Sequence, residues 1–88
     1  MISFKIDKAE YQVNRFWLIL EVRKDGVLVK EGNVRFRDSI PGHGEQDRPI
    51  DSTTGKANYT VPPEKKAPWK IWAKFEEYEQ VFDVPAPM

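Results

Sequence analysis

Apolar and polar residues alternate with a period of two along most of this chain. That period marks strands, because successive side chains of a strand point to opposite faces. Ile2, Phe4 and Ile6 alternate with Ser3, Lys5 and Asp7. Phe16, Leu18, Leu20 and Val22 alternate with Trp17, Ile19, Glu21 and Arg23, and Val34 and Phe36 with Arg35 and Arg37. Ala57, Tyr59 and Val61 alternate with Lys56, Asn58 and Thr60, and Trp69, Ile71, Ala73 and Phe75 with Lys70, Trp72, Lys74 and Glu76. In each segment the first set is taken as facing the core. Val27–Val29 and Gln80–Val84, with Phe82 and Val84 inward, complete a set of about seven short strands. No stretch has the spacing of a helix beyond one possible turn at Asp7–Tyr11.

The punctuation between these segments is Asp25-Gly26, Glu31-Gly32, Thr53-Thr54-Gly55 and the Pro62-Pro63 and Pro68 breaks around a charged loop. Gly26, Gly32 and Gly55 fit turns that need positive φ. Short alternating strands with such turns predict an all-β, immunoglobulin-like antiparallel sandwich. The sandwich is expected over residues 1–84, with 85–88 as a tail or linker. The longest irregular stretch, Asp38–Pro49, is too long for an ordinary hairpin loop and is expected to connect the two sheets.

Eighty-eight residues make one domain, and a chain of this size buries only roughly 60–65% of its unfolded surface. There is no cysteine to staple it. Three Trp, three Tyr and five Phe therefore supply much of the volume of a thin core. Fourteen basic and fourteen acidic side chains cancel, which argues against a domain-wide field that gathers nucleic acid or anionic lipid. The longest apolar run, Phe16–Leu20, is far too short to span a membrane. The opening MISFKIDKAEY alternates charged and apolar groups and is not a signal peptide, so work outside the cell would need a leader on a longer chain or another route.

DGVLVKEGNVRF at Asp25–Phe36, DSTTGKANYTV at Asp51–Val61 and KIWAKF at Lys70–Phe75 together resemble the bacterial Ig-like repeats of the invasin and intimin type. The likeness covers about two-thirds of the chain and is a superfamily-level one, shared in part with carboxypeptidase regulatory-like and transthyretin-like sandwiches. The turn at Glu76-Glu77 departs from it, since such repeats often place Asn-Gly there. What the resemblance implies is a non-catalytic structural or adhesive module of a surface or phage virion protein, with no shared active site, cofactor or metal.

Candidate chemistry is sparse. His43, between Gly42 and Gly44, has Asp38, Glu45 and Asp47 nearby in sequence, but the set is poor in nitrogen ligands and lacks the EF-hand spacing. A charged, solvated connector is the expectation, with no metal. An acid–base pair of His43 with Glu45, Asp47 or Asp51 would need a pocket and a nucleophile that no motif supplies. Ser39, Ser52, Thr53 and Thr54 sit in turn contexts where hydroxyls bond the local backbone. STTGK lacks the upstream glycine of a phosphate-binding loop.

Two indoles break the core pattern. Trp72 shares its face with Lys70 and Lys74, and Trp17 shares its face with Ile19 and Glu21. If the Val34–Phe36 strand neighbours the Trp69–Phe75 strand, Arg35, Arg37, Lys70, Trp72 and Lys74 form one outward basic-aromatic face. Such a face suits an acidic protein surface, a glycan or a single strand of nucleic acid, although long Arg and Lys stems can equally cover an indole. Three readings follow. The first is a non-catalytic module that binds a protein or glycan surface, a neighbouring domain or a second copy. The second is a carbohydrate-binding module stacking sugar on Trp72 or Trp17. The third is an enzyme accessory domain or small hydrolase using the Asp38–Pro49 loop, which requires a polar pocket at His43.

Overall fold

The computed structural model describes residues 1–12, 15–61 and 69–84, except for the side chain of Trp69, and among these residues there are eight strands and no helix. They are β1 (Ile2–Gln12), β2 (Arg15–Lys24), β3 (Val27–Leu28), β4 (Asn33–Asp38), β5 (Gln46–Pro49), β6 (Lys56–Val61), β7 (Trp69–Phe75) and β8 (Tyr78–Val84). One sheet has β2 at its centre, with β1 on one edge and β6 and β3 end to end along the other. The second sheet runs β5-β4-β7-β8, all antiparallel. In the letters of the immunoglobulin fold this is A-B-E opposite C′-C-F-G. The expected sandwich is therefore the observed one. The expected tail at 85–88, the charged Pro-bracketed loop and the inward side chain of Trp69 lie outside the described residues.

The core follows the alternation closely. Phe16, Leu18, Leu20 and Val22 of β2 are buried, as are Val34 and Phe36 of β4 and Ala57, Tyr59 and Val61 of β6. Ile71, Ala73, Phe75, Phe82 and Val84 close the core from the second sheet. The Phe36 and Tyr59 rings stack across the two sheets, 4.8 Å apart and 9° from parallel.

Three expectations are corrected. Asp7–Tyr11 is not a helical turn but the second half of β1, and the register with β2 shifts between Ile6 and Lys8. One extra residue there moves the inward parity from Ile2 and Phe4 to Ala9 and Tyr11. Ile6, read as inward, is 49% exposed beside this bulge. Second, Asp38–Pro49 does not connect the sheets: Gln46–Pro49 pairs antiparallel with β4, so only Ser39–Glu45 is loop and both ends stay in one sheet. The change of sheet falls at Ile50–Gly55, between β5 and β6. Third, β5 is a strand the alternation does not predict, and it brings the described residues to eight strands, in keeping with the expected count of about seven.

The turns obey local chemistry. Asp25 and Gly26 both take positive φ, 54° and 83°, the requirement of the two-residue turn that matches strand twist. Gly55 has φ 70°, and a Cβ there would meet Leu28 Cδ2 at 3.0 Å and Val29 O at 3.1 Å, so packing as well as conformation selects glycine. The Asp51 carboxylate, rather than the neighbouring hydroxyls, organises DSTTG: Oδ1 accepts the Thr53 and Thr54 N–H at 2.7 and 2.9 Å. These bonds, that of Thr54 first, hold its carboxyl below the ordinary range. Glu76, the non-glycine residue that opens the last turn, also sits at φ 54°, and its carboxylate meets Lys24 Nζ of the other sheet at 3.1 Å.

Leu20 is fully buried, so Leu20→Ala should cost roughly 2–5 kcal/mol in urea unfolding. Ile6→Ala, on the same strand pair but half exposed beside the bulge, should cost no more than about 1 kcal/mol. Equal losses at the two positions would contradict the register described here.

Candidate functional site

β4 and β7 are neighbours, and their register sets Arg35 opposite Lys74 and Arg37 opposite Trp72. The five residues expected on one outward face are thus brought together. The flanking strands alter its electrostatics. From β5, Asp47 accepts the Arg35 Nε–H at 2.9 Å, with Glu45 at 4.0 Å. From β8, Asp83 accepts from Lys70 Nζ at 2.9 Å, and Glu79 stands opposite Lys74. Arg35 is pushed above and Asp47 below its ordinary pKa, each chiefly by their shared hydrogen bond. The face is therefore mixed in charge rather than basic.

Its middle row centres on the Trp72 indole. Val81 of β8 lies opposite Trp72 and is 46% exposed, and the Arg37 guanidinium sits 4.0 Å from the centre of the half-buried Trp72 ring. Arg37–Trp72–Val81 crosses three strands between a row of charge pairs on either side. Trp17 is not part of this face. It lies on the outer face of the other sheet, half-buried between Glu10 of β1 and Thr60 of β6.

A second constellation lies at the end of β4. Asp38, expected on a solvated loop, is buried, and its side chain has no solvent exposure. Its Oδ1 accepts the Ile40 N–H at 3.0 Å. Its Oδ2 accepts the Tyr59 hydroxyl at 2.6 Å and lies 3.0 Å from His43 Nδ1. Burial, and then the bond to Asp38, push the Tyr59 phenol well above its usual pKa. His43 thus pairs with Asp38, not with Glu45, Asp47 or Asp51. Glu45 and Asp47 turn outward to Arg35 instead. Among the described residues no three metal-ligating side chains converge. Ser39, expected to bond its local backbone, instead accepts the Lys70 N–H of β7 through its hydroxyl at 2.9 Å.

His43 borders an open cleft of about 470 Å³ on the side where β5 and β6 leave the two sheets unclosed. Arg15, Gly42, Gly44, Gln46, Arg48 and Thr60 line it as well. Arg15 donates to Thr60 Oγ1 at 3.1 Å within one sheet, and Arg48 Nε–H donates to the Asn58 carbonyl at 3.1 Å, joining the edges of the two sheets. The signal for this site was present in the parity of β4. Continuing Val34 and Phe36 by two-residue steps reaches Asp38 and Ile40, both buried.

The chain matches no family model, curated protein or solved structure with which it was compared.

Asp38→Ala leaves the Tyr59 hydroxyl and the Ile40 N–H without an acceptor, at a cost of about 1–3 kcal/mol for each buried donor. Asp47→Ala, on the exposed face, should leave the unfolding midpoint close to that of the wild type. Urea unfolding of the two variants tests this contrast. Alkali provides a second test. The folded Tyr59 pKa lies above the unfolded value near 10.0, so the stabilisation is complete below that value and is lost as the pH rises past it. Between about pH 9 and pH 11 the wild type should lose more stability than Tyr59→Phe.

Proposed function

We propose that this chain is a non-catalytic immunoglobulin-like module of a larger protein, of the kind carried by bacterial surface proteins and phage virions. It docks a protein surface through the outer face of β5-β4-β7-β8. The observation that carries this reading is the Arg37–Trp72–Val81 row. An indole, a guanidinium and an aliphatic side chain form a flat strip, and Trp and Arg are the residue types that dominate protein contacts. Rows of charge pairs flank it, as the polar rim of a docking patch does.

Three arguments separate this from the alternatives. Arg35 and Lys70 already have carboxylate partners, which weakens the attraction for a nucleic-acid backbone. Arg37 occupies a face of the Trp72 ring, so a sugar stacking there would have to displace it. The polar cleft at His43 is what a hydrolase would require. However, among the described residues no hydroxyl is hydrogen-bonded to His43, and the cleft's own Thr60 accepts from Arg15.

Panning a random peptide library on the intact chain tests the reading. Recovered peptides should bind Trp17→Ala as they bind the wild type and should lose roughly ten-fold or more on Trp72→Ala. Trp72→Ala should lower the melting midpoint by no more than about 8 °C, because it removes little core. Peptides indifferent to Trp72, or binding to a glycan panel in place of peptides, would overturn it.

A further inference from the structure

We propose that the cleft between β5 and β6 binds a small tetrahedral oxyanion, a phosphoryl or sulfuryl group carried by a ligand. The inference stands apart from the Trp72 face and rests on how the arginines of this chain are partnered. Arg23 is held by Glu21 at 2.7 Å, Arg35 by Asp47 at 2.9 Å, and Arg37 by the Trp72 ring. Arg15 and Arg48 differ. Among the described residues neither makes an ion pair or a ring contact, and each donates only to a neutral oxygen, the Thr60 hydroxyl or the Asn58 carbonyl. Both line the same cleft. In a chain with equal numbers of acidic and basic groups, two cations without carboxylates on one cleft form a local positive site.

The remaining lining fits an oxyanion. His43 is held from behind by Asp38 through Nδ1, and its Nε2 can donate to an oxyanion only when the ring is the doubly protonated imidazolium, a form that the Asp38 carboxylate on Nδ1 and an anion in the cleft would both favour. Asp38 is the acid closest to this ring, and its oxygens are occupied by Tyr59, Ile40 and His43, so it does not compete for the arginines. Thr60 and Gln46 add neutral polar groups. Gly42 and Gly44 flank the imidazole, and a Cβ at either would point into open space, so the loop backbone can approach a ligand closely. A planar carboxylate is satisfied by one guanidinium fork. Donors arriving from β2, from β5 and from the loop between β4 and β5 suit a group that presents oxygens in several directions. The cleft, at about 470 Å³, has room for the organic part of a phosphate or sulfate ester as well.

The test is a titration of the intact chain with inorganic phosphate at constant ionic strength, chloride being the replaced ion, followed by amide and arginine-side-chain NMR shifts. Saturable shifts at His43, Gly44, Arg15 and Arg48 are expected. Arg15→Gln should weaken binding roughly ten-fold or more, while Arg23→Gln should leave it unchanged. Arg48→Gln also cuts the tie to Asn58, so His43→Asn serves as the second variant. Linear shifts without saturation, equal binding by Arg15→Gln, or equal loss in Arg23→Gln would overturn the proposal. Phosphorylated and sulfated monosaccharides form the second arm. Tighter binding than inorganic phosphate identifies an ester as the ligand, and equal binding a free anion. Tighter binding of acetate than of phosphate would overturn the tetrahedral assignment.

Discussion

The Tyr59–Asp38 hydrogen bond reaches across the interior of the sandwich, from β6 in one sheet to the end of β4 in the other. Both side chains are buried at the edge of the apolar core, so an unmatched hydroxyl or carboxylate there would be costly. The geometry avoids that cost by bringing three donors to one carboxylate: a phenol, a backbone N–H and an imidazole. The phenol comes from β6 and the other two donors from the Ser39–Glu45 loop, so the bonds form together only when the two sheets and that loop are all in place. Purely apolar packing tolerates small slides of one sheet over the other, whereas a 2.6 Å hydrogen bond does not. The stacked Phe36 ring constrains the same tyrosine laterally. One polar node thus sets the register between two otherwise greasy faces and positions the His43 loop.

From this node the two functional surfaces diverge. The inward parity of β4 leads to Asp38 and the cleft; the outward parity of the same strand carries Arg35 and Arg37. Glu45 and Asp47, two and four residues beyond His43, fall on the outward side and neutralise Arg35 there. This division leaves the cleft with arginines and no exposed acid among its described lining residues. It leaves the outer face with balanced charge around an aromatic centre. A segment that reads in sequence as one acidic patch around a histidine is divided by strand geometry between two sides of a sheet.

What could be read from the sequence follows from this. Period-two alternation is imposed by burial of one face, so β2, β4, β6, β7 and β8 were legible, as was almost all of the core. The second half of β1 was not. A bulge at Asp7 exchanges the two parities, and a reader following Ile2, Phe4 and Ile6 meets Lys8 and Glu10 and sees the pattern end. β5 was illegible for a different reason. All four of its residues are exposed, so no burial pattern could mark it; only the pairing with β4 makes it a strand. Asp38 was legible in principle, since it continues the parity of Val34 and Phe36, but its charge pointed to solvent. The outward position of Trp72 and its cationic neighbours followed from parity alone. The neutralising partners on β5 and β8 required the strand order.

The edges of the sandwich explain why ligand chemistry would gather where it does. An unpaired strand edge exposes backbone donors and acceptors and invites association with another chain. β5 and β6 are both edge strands on the same side of the molecule, and Arg48 bridges them through the Asn58 carbonyl. A charged side chain that occupies a free carbonyl protects the edge, and in doing so it holds a guanidinium at the mouth of the cleft. Arg15 protects no edge carbonyl, but its bond to the Thr60 hydroxyl of the neighbouring strand holds a second guanidinium at the same cleft. Both arginines are thereby fixed in position by neutral oxygens that leave their charge uncompensated. An arginine fixed by a carboxylate is already satisfied, whereas one fixed by a carbonyl or a hydroxyl is oriented and still has a charge to offer a ligand. In Arg48 edge protection and the proposed anion recognition are in this way consequences of the same side chain.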